Sequence, residues 1–263
     1  MKLKFSDSKR LRAIFLVLAI ALFGAGAGLS ANTFSDETLN YKIMFKWGLV
    51  NKQAGRATLS LRTSGSEYKT LLTARSENWA DRFYRVRDTL IGRIHRETMR
   101  PLIYIKRSHE GKENKHDVVK YNYSGARVIG SCTRRKWDEK GNLVRNEERV
   151  LEAYGTTVDM LSSFYYMRNL PFEQWKPGHV VTLNIYSGKR KELLTIKYAG
   201  IDNVSLNGRK ERAYHIRFTF SSDGKKTSDD LDAWIQASPQ RIPLKMEGKL
   251  KVGKVQALFT GTD

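Results

Sequence analysis

Tyr41-Lys42-Ile43-Met44-Phe45-Lys46-Trp47 is the stretch that decides the fold class. Tyr41, Ile43, Phe45 and Trp47 alternate with Lys42, Met44 and Lys46, the period of a strand with one buried face. A turn around Asn51 to Gly55 then leads to Ala57, Leu59 and Leu61, so the opening reads as a hairpin. The same rhythm predicts strands near 67–76, 89–97, 101–109, 116–123, 126–137 and 143–151. It predicts others near 180–187, 191–199, 211–220, 231–237, 242–251 and 254–260. Turn residues separate them: Glu110-Gly111-Lys112, Glu139-Lys140-Gly141-Asn142, Asn207-Gly208, Asp223-Gly224 and Val252-Gly253-Lys254. No repeat, low-complexity tract or linker interrupts the series. Many short strands at regular spacing predict a mainly β protein with one antiparallel sheet system of barrel or sandwich type. The expected organisation is a single β-rich domain over 32–263.

Two segments break the period. In Glu77 to Arg87, the positions of Trp79, Phe83, Tyr84 and Val86 suit a short helix or turn. The second break is clearer. Thr157 or Asp159 can cap a helix whose stripe is Leu161, Phe164, Tyr165 and Arg168, and Pro171 ends it. With aromatic residues on most of its faces, such a helix must touch apolar surface around much of its circumference. The simplest expectation is that it completes the core, because aromatic stripes mostly pack.

The N-terminus has a different character. Lys2, Lys4, Lys9, Arg10 and Arg12 precede an apolar run from Ala13 to Phe23, followed by small residues from Gly24 to Ala31. This is the layout of a cleavable signal peptide over residues 1–31, with an apolar core too short to span a bilayer. No cysteine follows the run, which argues against a lipoprotein, and no later stretch has the length of a membrane span. The expected product is a periplasmic protein. The chain carries a net charge of +20. Residues 1–31 contribute five cations and one carboxylate, and subtracting that +4 leaves +16 for the exported body. So basic a surface attracts anions. The expected partners are therefore lipid or anionic envelope polymers. Nucleic acid is not expected as a partner because no recognition helix or RNA-binding motif accompanies the charge. The clusters Arg134-Arg135-Lys136, Lys189-Arg190-Lys191 and Lys225-Lys226 read as solvated hairpin ends. Cys132 is the one cysteine, so no intramolecular disulfide can form, and it is expected to be an inert strand residue.

At the helix, Asp159-Met160-Leu161-Ser162-Ser163-Phe164-Tyr165-Tyr166-Met167-Arg168 resembles a signature of the exported bacterial family catalogued as domain of unknown function 3108. Lys225 to Trp234, Arg241-Ile242-Pro243-Leu244, the Tyr41 strand and the Gly55-Arg56-Ala57 turn are similar as well. The resemblance spans roughly residues 38–260, and the Trp- and Tyr-rich texture looks most like members from Bacteroides-type bacteria. It implies a strongly bent antiparallel sheet wrapped as an incomplete, clam-like barrel with one or two short helices. It implies a compartment and an architecture, and it names no reaction.

The search for chemistry returns little. His109 and His116 are the one histidine pair close enough to suggest a metal, but seven residues and a Gly-Lys turn separate them, unlike a helical zinc site. No nucleophile elbow, phosphate loop or dinucleotide fingerprint occurs. Asp229, Asp230 and Asp232 read as a charge-balanced surface turn. Asp88-Thr89-Leu90 fits a short O-glycosylation pattern that occurs often by chance. No catalytic residue, metal or cofactor is therefore assigned. What remains is binding: Phe164, Tyr165, Trp47, Tyr84 and Trp234 could line an apolar pocket, with Arg87 and Arg168 meeting a ligand's carboxylate or phosphate. A filled core with Arg168 paired to an Asp such as Asp88 would end the carrier idea. The expected function is non-enzymatic binding of an amphipathic or anionic envelope component. The alternative is a structural or partner-binding role through a basic surface or sheet edge, and the least favoured is an enzyme with a metal at the His109–His116 hairpin.

Overall fold

The computed structural model describes residues 33–188, 190–228, 230–250 and 253–263; the export signal read over 1–31 lies outside them. Its first half is a meander: β1 (Glu37–Trp47), β2 (Val50–Ser64), β3 (Glu67–Ser76), β4 (Val86–His95), β5 (Pro101–Glu110), β6 (Glu113–Ser124), β7 (Arg127–Trp137) and β8 (Leu143–Tyr154). The four-residue helix α1 (Asn78–Asp81) interrupts it between β3 and β4. After a two-residue strand β9 (Thr157–Val158) comes α2 (Met160–Arg168). The second half holds β10 (Val180–Tyr186), β11 (Lys191–Leu206), β12 (Arg209–Ser222) and β13 (Lys225–Lys226). It ends with β14 (Leu231–Gln236), β15 (Pro243–Lys249) and β16 (Lys254–Thr262).

All the strands belong to one sheet. Neighbours run from β8 in sequence back to β1, then through β16, β15, β14, β12, β11 and β10 to β9, with β13 on β12. The pairs are antiparallel except β9–β10. The path therefore begins and ends on two strands adjacent in the chain, and the sheet curls into a nearly closed barrel with one unsealed seam between β8 and β9–β10. Asn184 crosses that seam at one end, where its Nδ2 donates to the Tyr154 carbonyl at 2.8 Å.

The predicted strands are present, with two instructive shifts. The first turn is at Gly48-Leu49, where Gly48 adopts φ of 53°, and not at Asn51 to Gly55, which belong to β2. Gly55 is needed for a different reason: a Cβ there would sit 2.6 Å from the Arg75 carbonyl oxygen on β3. β11 continues past the expected end to Leu206. Its register slips between Tyr198 and Gly200, so the alternation breaks at a bulge while the strand runs on. Its last part helps bury a second, smaller cluster of Val204, Leu206, Ala213, Trp234 and Leu244.

The main core fills the barrel around α2. Asp159 is the N-cap: its Oδ1 accepts from the backbone N–H groups of Leu161 (2.7 Å) and Ser162 (2.9 Å). In return Ser162 Oγ accepts from the Asp159 N–H at 2.9 Å, closing a capping box. Every α2 residue except Tyr166 is buried, so the helix packs apolar groups all round, as its aromatic content demands. Its C-terminal end is tied down by Arg168, whose guanidinium is ion-paired to Glu37 on β1 and donates to the Gln240 carbonyl at 2.8 Å. Arg241 fixes the following segment, pairing bidentately with Glu173 at 2.8 and 2.7 Å. No helix among the described residues is long and apolar enough to cross a membrane.

Candidate functional site

The residues singled out from sequence do not form one lining. Phe164, Tyr165 and Arg168 do come together, inside the barrel, where the Arg168 guanidinium lies 4.5 Å from the Phe34 ring centre and 5.5 Å from that of Tyr165. Trp234 is on the opposite side of the sheet, because its strand neighbours Ala233 and Ile235 face the main core. There it stacks on His215 at 4.5 Å, and its indole N–H donates to Asp202 at 2.9 Å. Trp47 is exposed at the β1–β2 tip, and Tyr84 lies beside Gly111 near the end of the β5–β6 hairpin. Arg87 is committed to Asp81, with Nη2 to Oδ2 at 2.6 Å. Arg168 is paired, to Glu37 and not to Asp88, which instead meets Lys106 at 3.2 Å. Both arginines expected to receive a ligand are thus engaged with carboxylates.

The hairpin of β5 and β6 does not set the two histidines opposite each other. His109 faces Asn114 and His116 faces Arg107. No group of three or more His, Cys, Asp or Glu side chains is arranged to hold a metal among the described residues. Asp232 is more than a surface turn, being half-buried and bonded to His215 at 2.7 Å and Arg217 at 3.1 Å. Cys132 is buried, and burial pushes its thiol up to about 11, against any reactive role.

A different feature stands out on the inner wall. A Cβ at Gly92 would touch Leu161 of α2 at 3.2 Å, so this residue marks the inward face of β4. Register carries that face across to Tyr104, Val119, Cys132 and Arg149. One step along the strands, the inward row reads Leu90, Lys106, Asp117, Arg134 and Glu147, alternating in charge across β5 to β8. The next inward row is Asp88, Ser108, Lys115, Lys136 and Arg145, with three cations side by side at its seam end. A barrel wall that only packed a core would be apolar here.

At the seam the cations converge. Glu147 is approached by Arg149 (2.7 Å), Arg145 (3.1 Å) and Arg134 (3.4 Å), and hydrogen bonding from Arg149 holds its carboxyl below the usual range. Arg134 is 7% exposed, while the Arg145 and Arg149 side chains are 46% and 45% exposed. The buried guanidinium is held loosely. Its contacts to Asp117 are 3.3 and 3.5 Å and that to Glu147 is 3.4 Å. A well-made guanidinium–carboxylate bond is about 2.7–2.9 Å. Burial raises the Asp117 carboxyl, and Arg134 and Lys106 offset that only in part. Lys115 and Lys136 share Glu113 at 2.6 and 2.7 Å. Inward of this cluster the wall becomes apolar: Cys132 and Leu151 come next, then Gly130, on which the Tyr186 ring rests.

Sequence reasoning misses these positions because Arg134-Arg135-Lys136 reads as one solvated cluster. Alternation splits it: Arg135 is exposed, whereas Arg134 and Lys136 point inward. The signal that could have found them is the period-two placement of Arg145, Glu147 and Arg149 opposite that run.

The fold and wall define a nearly closed barrel-shaped module whose inner surface is charged at the seam. The chain belongs to the family described as protein of unknown function (DUF3108), which matches residues 40–260. Among solved structures it is similar to a beta-barrel-like protein of domain of unknown function DUF1849 from Brucella abortus. The identity is 13% and the TM-score 0.64, over 89% of this chain and 99% of that one. It also aligns with an exported protein of YmcC-like fold from Bacteroides fragilis, at 5% identity and a TM-score of 0.35, over 90% of this chain and 100% of that one. The hypothetical lipoprotein YmcC from Escherichia coli gives 9% identity and a TM-score of 0.31, over 99% and 98% of the two chains. No curated protein matches the chain.

Proposed function

We propose that this is a non-enzymatic binding protein of the bacterial cell envelope that takes an anionic amphiphile at the seam. The acidic headgroup would sit on Arg134, Arg145 and Arg149, and the apolar part along Leu151 and Tyr186. The observation that carries this reading is Arg134. It is a buried guanidinium with only long contacts, flanked by two half-exposed arginines that crowd one carboxylate. Burying charges costs several kcal/mol per ion, so a loosely paired cluster of this kind is a poor device for stability and a good one for recognition. The reading moves the headgroup away from Arg87 and Arg168, which are already ion-paired to Asp81 and Glu37. Export to the envelope rests on the positive, apolar and small-residue order of residues 1–31.

The test is calorimetric titration of the purified protein with dodecyl phosphate below its micelle concentration, beside dodecyl maltoside. Saturable binding of the phosphate is expected. Because a hydrogen bond to a charged group is worth about 1.5–3 kcal/mol, replacing Arg145 and Arg149 by alanine should weaken it by roughly tenfold or more. Equal binding of the neutral detergent, or no loss in the double variant, would refute the site.

A second reading has one observation behind it. β8 is exposed along nearly its whole length, carries Leu143, Val144, Val150 and Tyr154 in the open, and pairs only with β7 among the described residues. Such an edge is a template for an added strand from an extended segment of a partner protein. If the protein failed to bind dodecyl phosphate, and Val150→Pro abolished recovery of one specific protein, this reading would stand in place of the first.

A further inference from the structure

The outward face of β3–β6 carries a pattern that the seam does not use. Leu71, Ile91, Ile105 and Val118 are direct cross-strand neighbours. They alternate with the buried Leu72, Leu90, Tyr104 and Val119, so they point away from the core, with Leu71 exposed and the other three half-buried. Three inter-strand spacings make this aliphatic stripe roughly 14 Å long.

Basic residues flank it on both sides. One neighbouring row places Arg107 beside His116, and beyond it on β7 stands Arg135. The row on the other side places Lys69 beside Arg93, then Ile103 beside Lys120. Across the outward positions of β3–β6, the cations are Lys69, Arg75, Arg87, Arg93, Arg107 and Lys120. The one carboxylate is Glu67, bound to Arg93. Arg87 is neutralised by Asp81 of α1. The face is the outside of a curled sheet, with backbone groups paired on both sides of each strand and no sheet edge to extend.

We infer that this face docks the protein on an anionic bilayer surface, with the stripe seated among the headgroups and the flanking cations on lipid phosphates. A membrane asks for a sign of charge plus modest apolar contact, which this face supplies. A tight protein partner asks for pocketed anchor residues, which a convex strand surface does not present. The surface is separate from the seam cluster: it lies on the outside of β3–β6, whereas Arg134, Arg145 and Arg149 face inward from β7 and β8. Docking there would leave the charged wall and its ligand untouched.

The test is co-sedimentation of the purified protein with vesicles of phosphatidylglycerol and phosphatidylethanolamine, compared with phosphatidylcholine vesicles, at low and high salt. Binding is expected on the anionic vesicles, lost at high salt. Arg107→Glu with Lys120→Glu should reduce it by about tenfold or more. Both residues are exposed, so the double variant should fold, and its retained titration with dodecyl phosphate would confirm that it has. Arg145→Ala with Arg149→Ala should leave vesicle binding within about twofold. Equal binding to both vesicle types, full binding by the Arg107/Lys120 variant, or loss only in the Arg145/Arg149 variant would each overturn the inference.

Discussion

Asp159→Asn separates what the N-cap of α2 contributes as a hydrogen-bond acceptor from what it costs as a charge. In the folded protein Asp159 is fully buried, and its Oδ2 has no hydrogen-bond partner. Burial pushes its carboxyl up to about 7, while the N–H groups of Ser162 and Leu161 pull it back only in part. The unfolded chain releases that proton near 3.8, so between the two values the folded state holds the extra proton. The stability from this site is therefore complete below about pH 4 and declines as the pH rises to 7. Three pKa units correspond to about 4 kcal/mol, an upper bound once local relaxation is allowed for. Asparagine keeps the Oδ1 acceptor and is as good an N-cap, but places an amide where Oδ2 lacks a partner, at a cost of about 1–3 kcal/mol. Urea unfolding at pH 5 and pH 8 should show the variant's stability relative to wild type improving by up to about 2.7 kcal/mol between the two, from the two units between pH 5 and the folded value. A difference that does not change with pH would refute the assignment of an ionisable burden to this cap.

Other consequences follow from the same packing. Arg168→Met leaves Glu37 facing the core without its counter-charge and should lower unfolding stability by about 3–5 kcal/mol; a second change, Glu37→Gln, should recover part of the loss in denaturation midpoint. Gly130→Ala would put a methyl 2.3 Å from the Tyr186 ring. The expected cost is about 1–3 kcal/mol, much reduced in a Tyr186→Ala background, which a double-mutant cycle reads directly. Cys132 should resist thiol reagents at pH 8 in the native protein and react promptly in denaturant, because burial keeps it as the thiol. Prompt native-state labelling would contradict its placement.

Fold class was legible because strand alternation is a local property: β1 shows its buried face at Tyr41 and Ile43, although Phe45 is only half-buried and Trp47 is exposed at the tip, and Asn207-Gly208 shows its turn in two residues, both with positive φ. Asp159 was legible as one of two candidate caps for the same reason, and the structure chooses it over Thr157, which belongs to β9. The end of β11 was not, since a bulge at Gly200 breaks the period while the pairing continues. The seam cluster was hidden for a deeper reason. A basic triplet at a hairpin end looks solvated unless its strand neighbours are known, and the register with β6 and β8 is what sets Arg134 beside Asp117 and Glu147. Trp234 shows the converse. An aromatic residue on a strand declares its side only once the register with His215 and the core-facing Ala233 and Ile235 is fixed.

The most direct measurement of the central claim is a crystal structure of the protein with dodecyl phosphate. The account predicts the phosphate at the seam, within hydrogen-bond distance of Arg134 and of Arg145 or Arg149, with its chain running past Leu151 toward Tyr186. A phosphate bound elsewhere, with the Arg134 contacts to Asp117 and Glu147 unchanged, would contradict it.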